Sequence, residues 1–152
     1  MVKLSRRKFV QGAAAYGLAA CFFVSNSALA KWPSKLFSVE KDKDFLKELF
    51  GGANIQESSL IQIKAPEIAE NGAVVPVSVQ SSLPNVESVN ILVDKNPRPL
   101  AAQFLMRPTN RSNIATRLKL AESSKVIAVI KSDGKLYSST KQIKVTIGGC
   151  GG

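Results

Sequence analysis

From Ala73 onward apolar side chains recur at every second position in short runs: Val75, Val77 and Val79, then Val89, Ile91 and Val93, then Ile114, Leu118 and Leu120 with Thr116 between them. A period of two sends successive side chains to opposite faces of an extended backbone, so each run predicts a strand with one buried face. Pro76 breaks into the first run. Proline cannot donate to a ladder, which places the strand from Ala73 to Gln80 at a sheet edge or at a bulge. Leu60 to Lys64 and Val126 to Lys131 are further apolar runs, whereas Leu100 to Met106 fits strand or helix equally. Pro97-Arg98-Pro99 marks a turn and Asp133-Gly134 a tight hairpin. A last strand is expected over Gln142 to Ile147, with Ile143, Val145 and Ile147 on one face and Lys144 and Thr146 on the other.

Only one stretch has a helical period. Phe45, Leu46, Leu49 and Phe50 share a helix face, Asp42 and Asp44 supply negative charge at its start, and Gly51-Gly52 can end it. One short helix followed by six or seven short strands predicts an all-β fold, an immunoglobulin-like antiparallel β-sandwich. The expected layout is a leader over 1–30, an N-terminal extension with the helix over 31–56, the sandwich over 57–147 and a flexible C-terminal arm over 148–152.

The leader changes how charge is counted. Ser5-Arg6-Arg7-Lys8-Phe9-Val10-Gln11 resembles the twin-arginine export motif, with Arg6, Arg7 and Phe9 in place and Val10 and Gln11 departing from it. An apolar run from Gly12 to Val24 follows, too short for a comfortable span of about 20 residues, and Ala28 and Ala30 suit a leader peptidase cutting after Ala30. Leu18-Ala19-Ala20-Cys21 is a competing lipoprotein-like signal, but it would leave Phe22-Phe23-Val24 at the new start. The whole chain carries +10. Four of its 21 basic residues and none of its 11 acidic ones lie in the leader, leaving 17 against 11 in the mature chain. A nucleic-acid binder shows a clustered basic stripe with interleaved aromatics; scattered lysines with two Tyr and one Trp do not. Neither nucleic acid nor, once the leader is gone, a membrane is expected as a partner.

Histidine is absent, which removes the commonest general base and metal ligand, and no metal is expected. The candidate chemistry is therefore at Cys150. Gly148, Gly149, Gly151 and Gly152 surround it with backbone that carries no β-carbon and buries no side chain, so the tip is expected to stay solvated and pliant. Extended, Ile147 to Cys150 spans roughly 10 Å, enough to carry a sulfur atom into another protein's cleft. If Cys21 leaves with the leader, Cys150 is the one thiol, and any disulfide it forms is intermolecular. A free thiol with a pKa of about 8.5 is only a few per cent thiolate at pH 7, so activation must come from a partner. Three other readings compete with a carrier. One is an exported β-domain that dimerises through Cys150, and another an incidental terminal cysteine. The third is a ubiquitin-like carrier activated at Gly152, which would need ATP that the exported compartment lacks. Asn110-Arg111-Ser112 matches a glycosylation sequon too short to assign a role.

The export leader, the β-rich body and the closing Val145-Thr146-Ile147-Gly148-Gly149-Cys150-Gly151-Gly152 together resemble the SoxY family, sulfur-carrier subunits of bacterial Sox thiosulfate oxidation. The resemblance implies a periplasmic, non-enzymatic carrier exported by the twin-arginine route, with no cofactor beyond covalent sulfur adducts on Cys150. It implies SoxZ as heterodimer partner, and transient visits to SoxAX, to the hydrolase SoxB and, in some systems, to a sulfane dehydrogenase.

Overall fold

The computed structural model describes residues 34–40, 44–107 and 112–146. Nine strands and two short helices occur among them: α1 (Ser34–Phe37), α2 (Phe45–Phe50), β1 (Ile55–Glu57), β2 (Ile61–Lys64), β3 (Ile68–Ala69), β4 (Val75–Ser81), β5 (Val86–Val93), β6 (Leu100–Leu105), β7 (Ser112–Leu118), β8 (Ser124–Ser132) and β9 (Lys135–Val145). They form two sheets. The larger runs β1-β9-β8-β5-β6, with β3 also paired to β9; the smaller runs β2-β4-β7.

Period-two patterning builds the space between them. Val75, Val77 and Val79 of β4 meet Val89, Ile91 and Val93 of β5 and Val126, Ala128 and Ile130 of β8, with Ile143 of β9 closing the cluster. Burying a side chain of this size stabilises the fold by about 1.5–3 kcal/mol. β5 is buried on its other face too. There Leu92, Leu100, Val129 and Leu136 receive Leu36 and Phe37 from α1 and Phe45, Leu46, Leu49 and Phe50 from α2. The helical stripe thus packs on the domain's own sheet, as its periodicity suggests. Asn90 is buried on this face and satisfied: its amide donates to Val129 O at 3.1 Å, and Gln103 donates to its Oδ1 at 2.9 Å.

Local chemistry sets the ends of the elements. Gly51, at φ 62, follows α2 in the left-handed region, and Gly52 donates its N–H to Lys47 O at 2.9 Å, the closure expected of a glycine C-terminus. Asp133 (φ 47) and Gly134 (φ 72) join β8 to β9 in a two-residue turn with both central residues left-handed, the type whose twist matches a hairpin.

Three expectations are corrected and one open choice is settled. The strand holding Pro76 is central in its sheet, between β2 and β7, and Pro76 faces Arg117 of β7. Proline is tolerated because β2 ends at Lys64 opposite Ser78, leaving the other side of Pro76 without a neighbour in the ladder. Leu100 to Met106 resolves as a strand, β6, on β5. The last strand begins at Lys135, not Gln142, since the hairpin carries pairing back through Ser138, Ser139 and Thr140. Finally, the larger sheet is not wholly antiparallel, because β1 and β3 both run parallel to β9.

Candidate functional site

The segment 147–152 holds the residues that the sequence marks for chemistry, and β9 delivers it. Two neighbours hold the end of this strand. On one side Ile68 of β3 faces Lys144 and Ala69 faces Val145; Lys144 donates its N–H to Glu67 O at 2.9 Å, and Thr146 donates to Ala69 O at 3.0 Å. On the other, Val145 donates its N–H to Ser123 Oγ at 2.9 Å, and the same hydroxyl lies 3.3 Å from Val145 O as its donor. β9 otherwise pairs with β8 here only as far as Ile143 opposite Ser124, so Ser123 extends the grip by side chain where the ladder stops.

Beneath this junction the chain passes through Asn71-Gly72. Asn71 Oδ1 accepts from Ala73 N–H at 2.8 Å, and Leu120 donates its N–H to Gly72 O at 2.7 Å. A β-carbon at Gly72 would lie 2.5 Å from Leu120 O and 3.0 Å from Val145 Cγ1, so the close approach to β9 requires glycine. Backbone contacts therefore define the chain up to Thr146. Cys150, four residues on, can lie at most about 14 Å from Thr146 at 3.3–3.6 Å per residue.

Cys150, Gly148, Gly149, Gly151 and Gly152 lie outside the described residues, as do Arg6, Arg7, Phe9, Ala28 and Ala30. The structure adds what the sequence did not mark: the hydroxyl of Ser123, the cradle at Gly72 and the short strand β3. An Asn-Gly pair and a serine have no motif; only the demand that β9's backbone be paired to its end points to them.

The surroundings of this root carry exposed charges of both signs, Glu67, Glu70 and Glu122 beside Lys144. Among the described residues no three acidic or thiol groups gather to hold a metal ion. Two hollows open on the smaller sheet. One, of about 500 Å³, is lined by Ser59, Leu60, Gln62, Gln80, Ser81, Ser82, Ser112 and Asn113, and another, of about 570 Å³, by residues 76–78 and 115–117. Neither hollow pairs a nucleophile with a carboxylate, lysine or histidine base.

The fold and this junction define a small β-domain whose last strand is locked at the point where a cysteine-bearing tail leaves it. Residues 46–150 match the model of the family described as Sulfur oxidation protein SoxY, and the chain belongs to that family. A solved structure of the sulfur carrier protein SoxY from Chlorobium limicola f. thiosulfatophilum is 41% identical, with a TM-score of 0.64 over 70% of this chain and 97% of that one. The CARDB domain of a Pyrococcus furiosus protein is similar at 10% identity and a TM-score of 0.42 over 57% of this chain and 93% of that one, too distant to bear on either fold or function. No curated protein matches the chain.

Proposed function

We propose that the chain is a periplasmic sulfur carrier of thiosulfate oxidation, holding its cargo on Cys150. The observation that carries this reading is the placement of a Gly-Gly-Cys-Gly-Gly run just beyond a strand end pinned by Glu67, Ala69 and Ser123, in a member of the SoxY family. A strand end held by main-chain bonds, followed by four glycines about one cysteine, suits a thiol that must visit several clefts. Each visit orders the tip at roughly 1–2 kcal/mol per residue, which keeps binding transient.

In this reading SoxAX removes two electrons as it joins the Cys150 thiol to thiosulfate, releasing one proton and leaving Cys–S–S–SO₃⁻. SoxB then adds water, sulfate departs with a proton, and Cys–S–SH remains. A sulfane dehydrogenase takes electrons from that outer sulfur while water supplies its oxygens and protons are released, giving Cys–S–SO₃⁻, and a second hydrolysis releases sulfate and a proton and restores the thiol. The carrier contributes the nucleophile and the partner enzymes its activation. SoxZ pairs with the body, and the twin-arginine leader with Arg6, Arg7 and Phe9, cut after Ala30, exports the pair folded.

Intact-mass analysis of protein from cells grown on thiosulfate tests the proposal. Reducible sulfur-containing adducts on the monomer are expected, and Cys150→Ser should abolish them while the fold is kept. Finding only a disulfide-linked dimer, or a modification at Gly152 that survives Cys150→Ser, would overturn it.

A further inference from the structure

Every arginine outside the leader falls in one short stretch: Arg98, Arg107, Arg111 and Arg117. No Asp or Glu occurs from Lys95 to Ala121, although six basic residues do. The stretch contains β6 and β7, and among the described residues each is the last strand of its sheet. β2 lies against β9, so β7, at the far side of the smaller sheet, falls toward β6. Both sheets thus present an open edge on one side of the sandwich.

Arg98, Arg107, Arg117 and Lys119 are exposed there, and none makes an ion pair among the described residues. Two acids close to β6 along the ladder and the chain, Glu87 and Asp94, have partners of their own. Glu87 binds Lys131 at 2.8 Å and accepts from Gly134 N–H at 2.9 Å, and Asp94 Oδ1 accepts from Lys125 N–H at 2.8 Å.

Among the described residues no further strand covers this edge. Leu100 to Met106 reads Leu-Ala-Ala-Gln-Phe-Leu-Met, without the charge or proline that usually protects an edge strand, and Leu105 is 80% exposed. Met106 donates its N–H to Glu87 O at 2.8 Å, in register with Phe104 opposite Val89. Alternation along an antiparallel ladder then turns the backbone groups of Gln103 and Leu105 outward.

From this juxtaposition of an unguarded edge with unpaired arginines we infer that β6 accepts a strand from a partner protein that is acidic along that strand. A second copy does not fit. Antiparallel pairing of β6 with itself would set Arg98 of one protomer near Arg107 of the other. A lipid or nucleic-acid phosphate surface would satisfy the arginines and leave the backbone groups of Gln103 and Leu105 and the side chain of Leu105 unused. Main-chain bonds would give affinity and the arginines the choice of partner. None of this depends on what Cys150 carries.

The test uses the full ¹⁵N-labelled chain with Cys21→Ser and Cys150→Ser, and two peptides of equal length that alternate valine with glutamate or valine with lysine. The glutamate peptide should shift and protect the amides of Gln103 and Leu105, and the lysine peptide should not. Combining Arg98→Glu, Arg107→Glu and Arg117→Glu should weaken the glutamate peptide by about tenfold or more, as loss of charge complementarity demands. Leu105→Pro removes an outward N–H and should abolish binding, while amide exchange in β5 and β8 shows that the fold is kept. Equal binding of both peptides, protection at a different edge, indifference to Leu105→Pro, or displacement of the glutamate peptide by phosphatidylglycerol vesicles would each overturn the proposal.

Discussion

Individual side chains show where this fold depends on pH and where it does not. Glu87 is half-buried, and its carboxyl is held below the ordinary glutamate value, first by the hydrogen bond from Lys131 and then by the N–H of Gly134. A lowered folded-state value means that the stabilisation is present above the unfolded value and is lost as pH falls through the folded one. The stability difference between the native chain and Glu87→Gln should therefore be constant near neutrality and shrink in acid. Urea melts from about pH 7 down to pH 3 check this; a difference that grows in acid would contradict it. Ser112 presents a different case: it is buried and its Oγ has no hydrogen-bond partner among the described residues. Removing an unsatisfied hydroxyl relieves a desolvation cost, so Ser112→Ala should leave the unfolding midpoint unchanged or raise stability by up to about 1 kcal/mol.

Among the elements, β9 has the most to hold, for it pairs with β1, β3 and β8 and ends at the tail. Ser123→Ala takes away the acceptor for Val145 N–H and should cost about 0.5–1.5 kcal/mol, with faster amide exchange at Val145 and little change in β5. Much of this level was legible in the sequence. Valines at every second position announced β4 and β5, and Asp133-Gly134 announced the hairpin, because local sterics settle both. The first half of β9 was hidden by Ser138, Ser139 and Thr140, whose polarity hides a strand held in place by its neighbour's ladder. β1 and β3, of three and two residues, are too short to show a period at all. Pro76 misled because the rule about proline concerns one N–H, and the reach of β2, which decides whether that N–H is missed, is a tertiary fact.

At the largest scale, the described residues of the β-domain form two sheets with a helical layer on the outer face of the larger one. That layer answers to the same sheet that forms the core, so damage to it should register globally. Leu49→Ala should lower stability by about 1–2 kcal/mol, less than the 2–5 of a fully buried leucine, because Leu49 is only half-buried against the cluster around Leu92 and Leu136. Denaturant unfolding followed by the amide signals of α2 and by those of β5 and β8 should give one coincident transition; a separate early loss of the α2 signals would show the layer to be independent. The tip proposed to carry the chemistry is marked by its composition alone, four glycines about one thiol. Its anchorage is not, since the backbone bonds that hold β9 leave no mark in residue type.

The parallel pairing of β1 and β3 with β9 has a bearing on biosynthesis. Ile55 finds its mate at Leu136 and Ile68 at Lys144, so the ribosome makes these strands long before it makes the one they need. Until then they wait unmatched, and a nascent chain of this kind folds slowly, toward the millisecond-to-second range of topologies rich in distant pairings. The same late event that completes the sheet also sets the base of the tail, so a chain whose tail is correctly mounted is one that has finished folding.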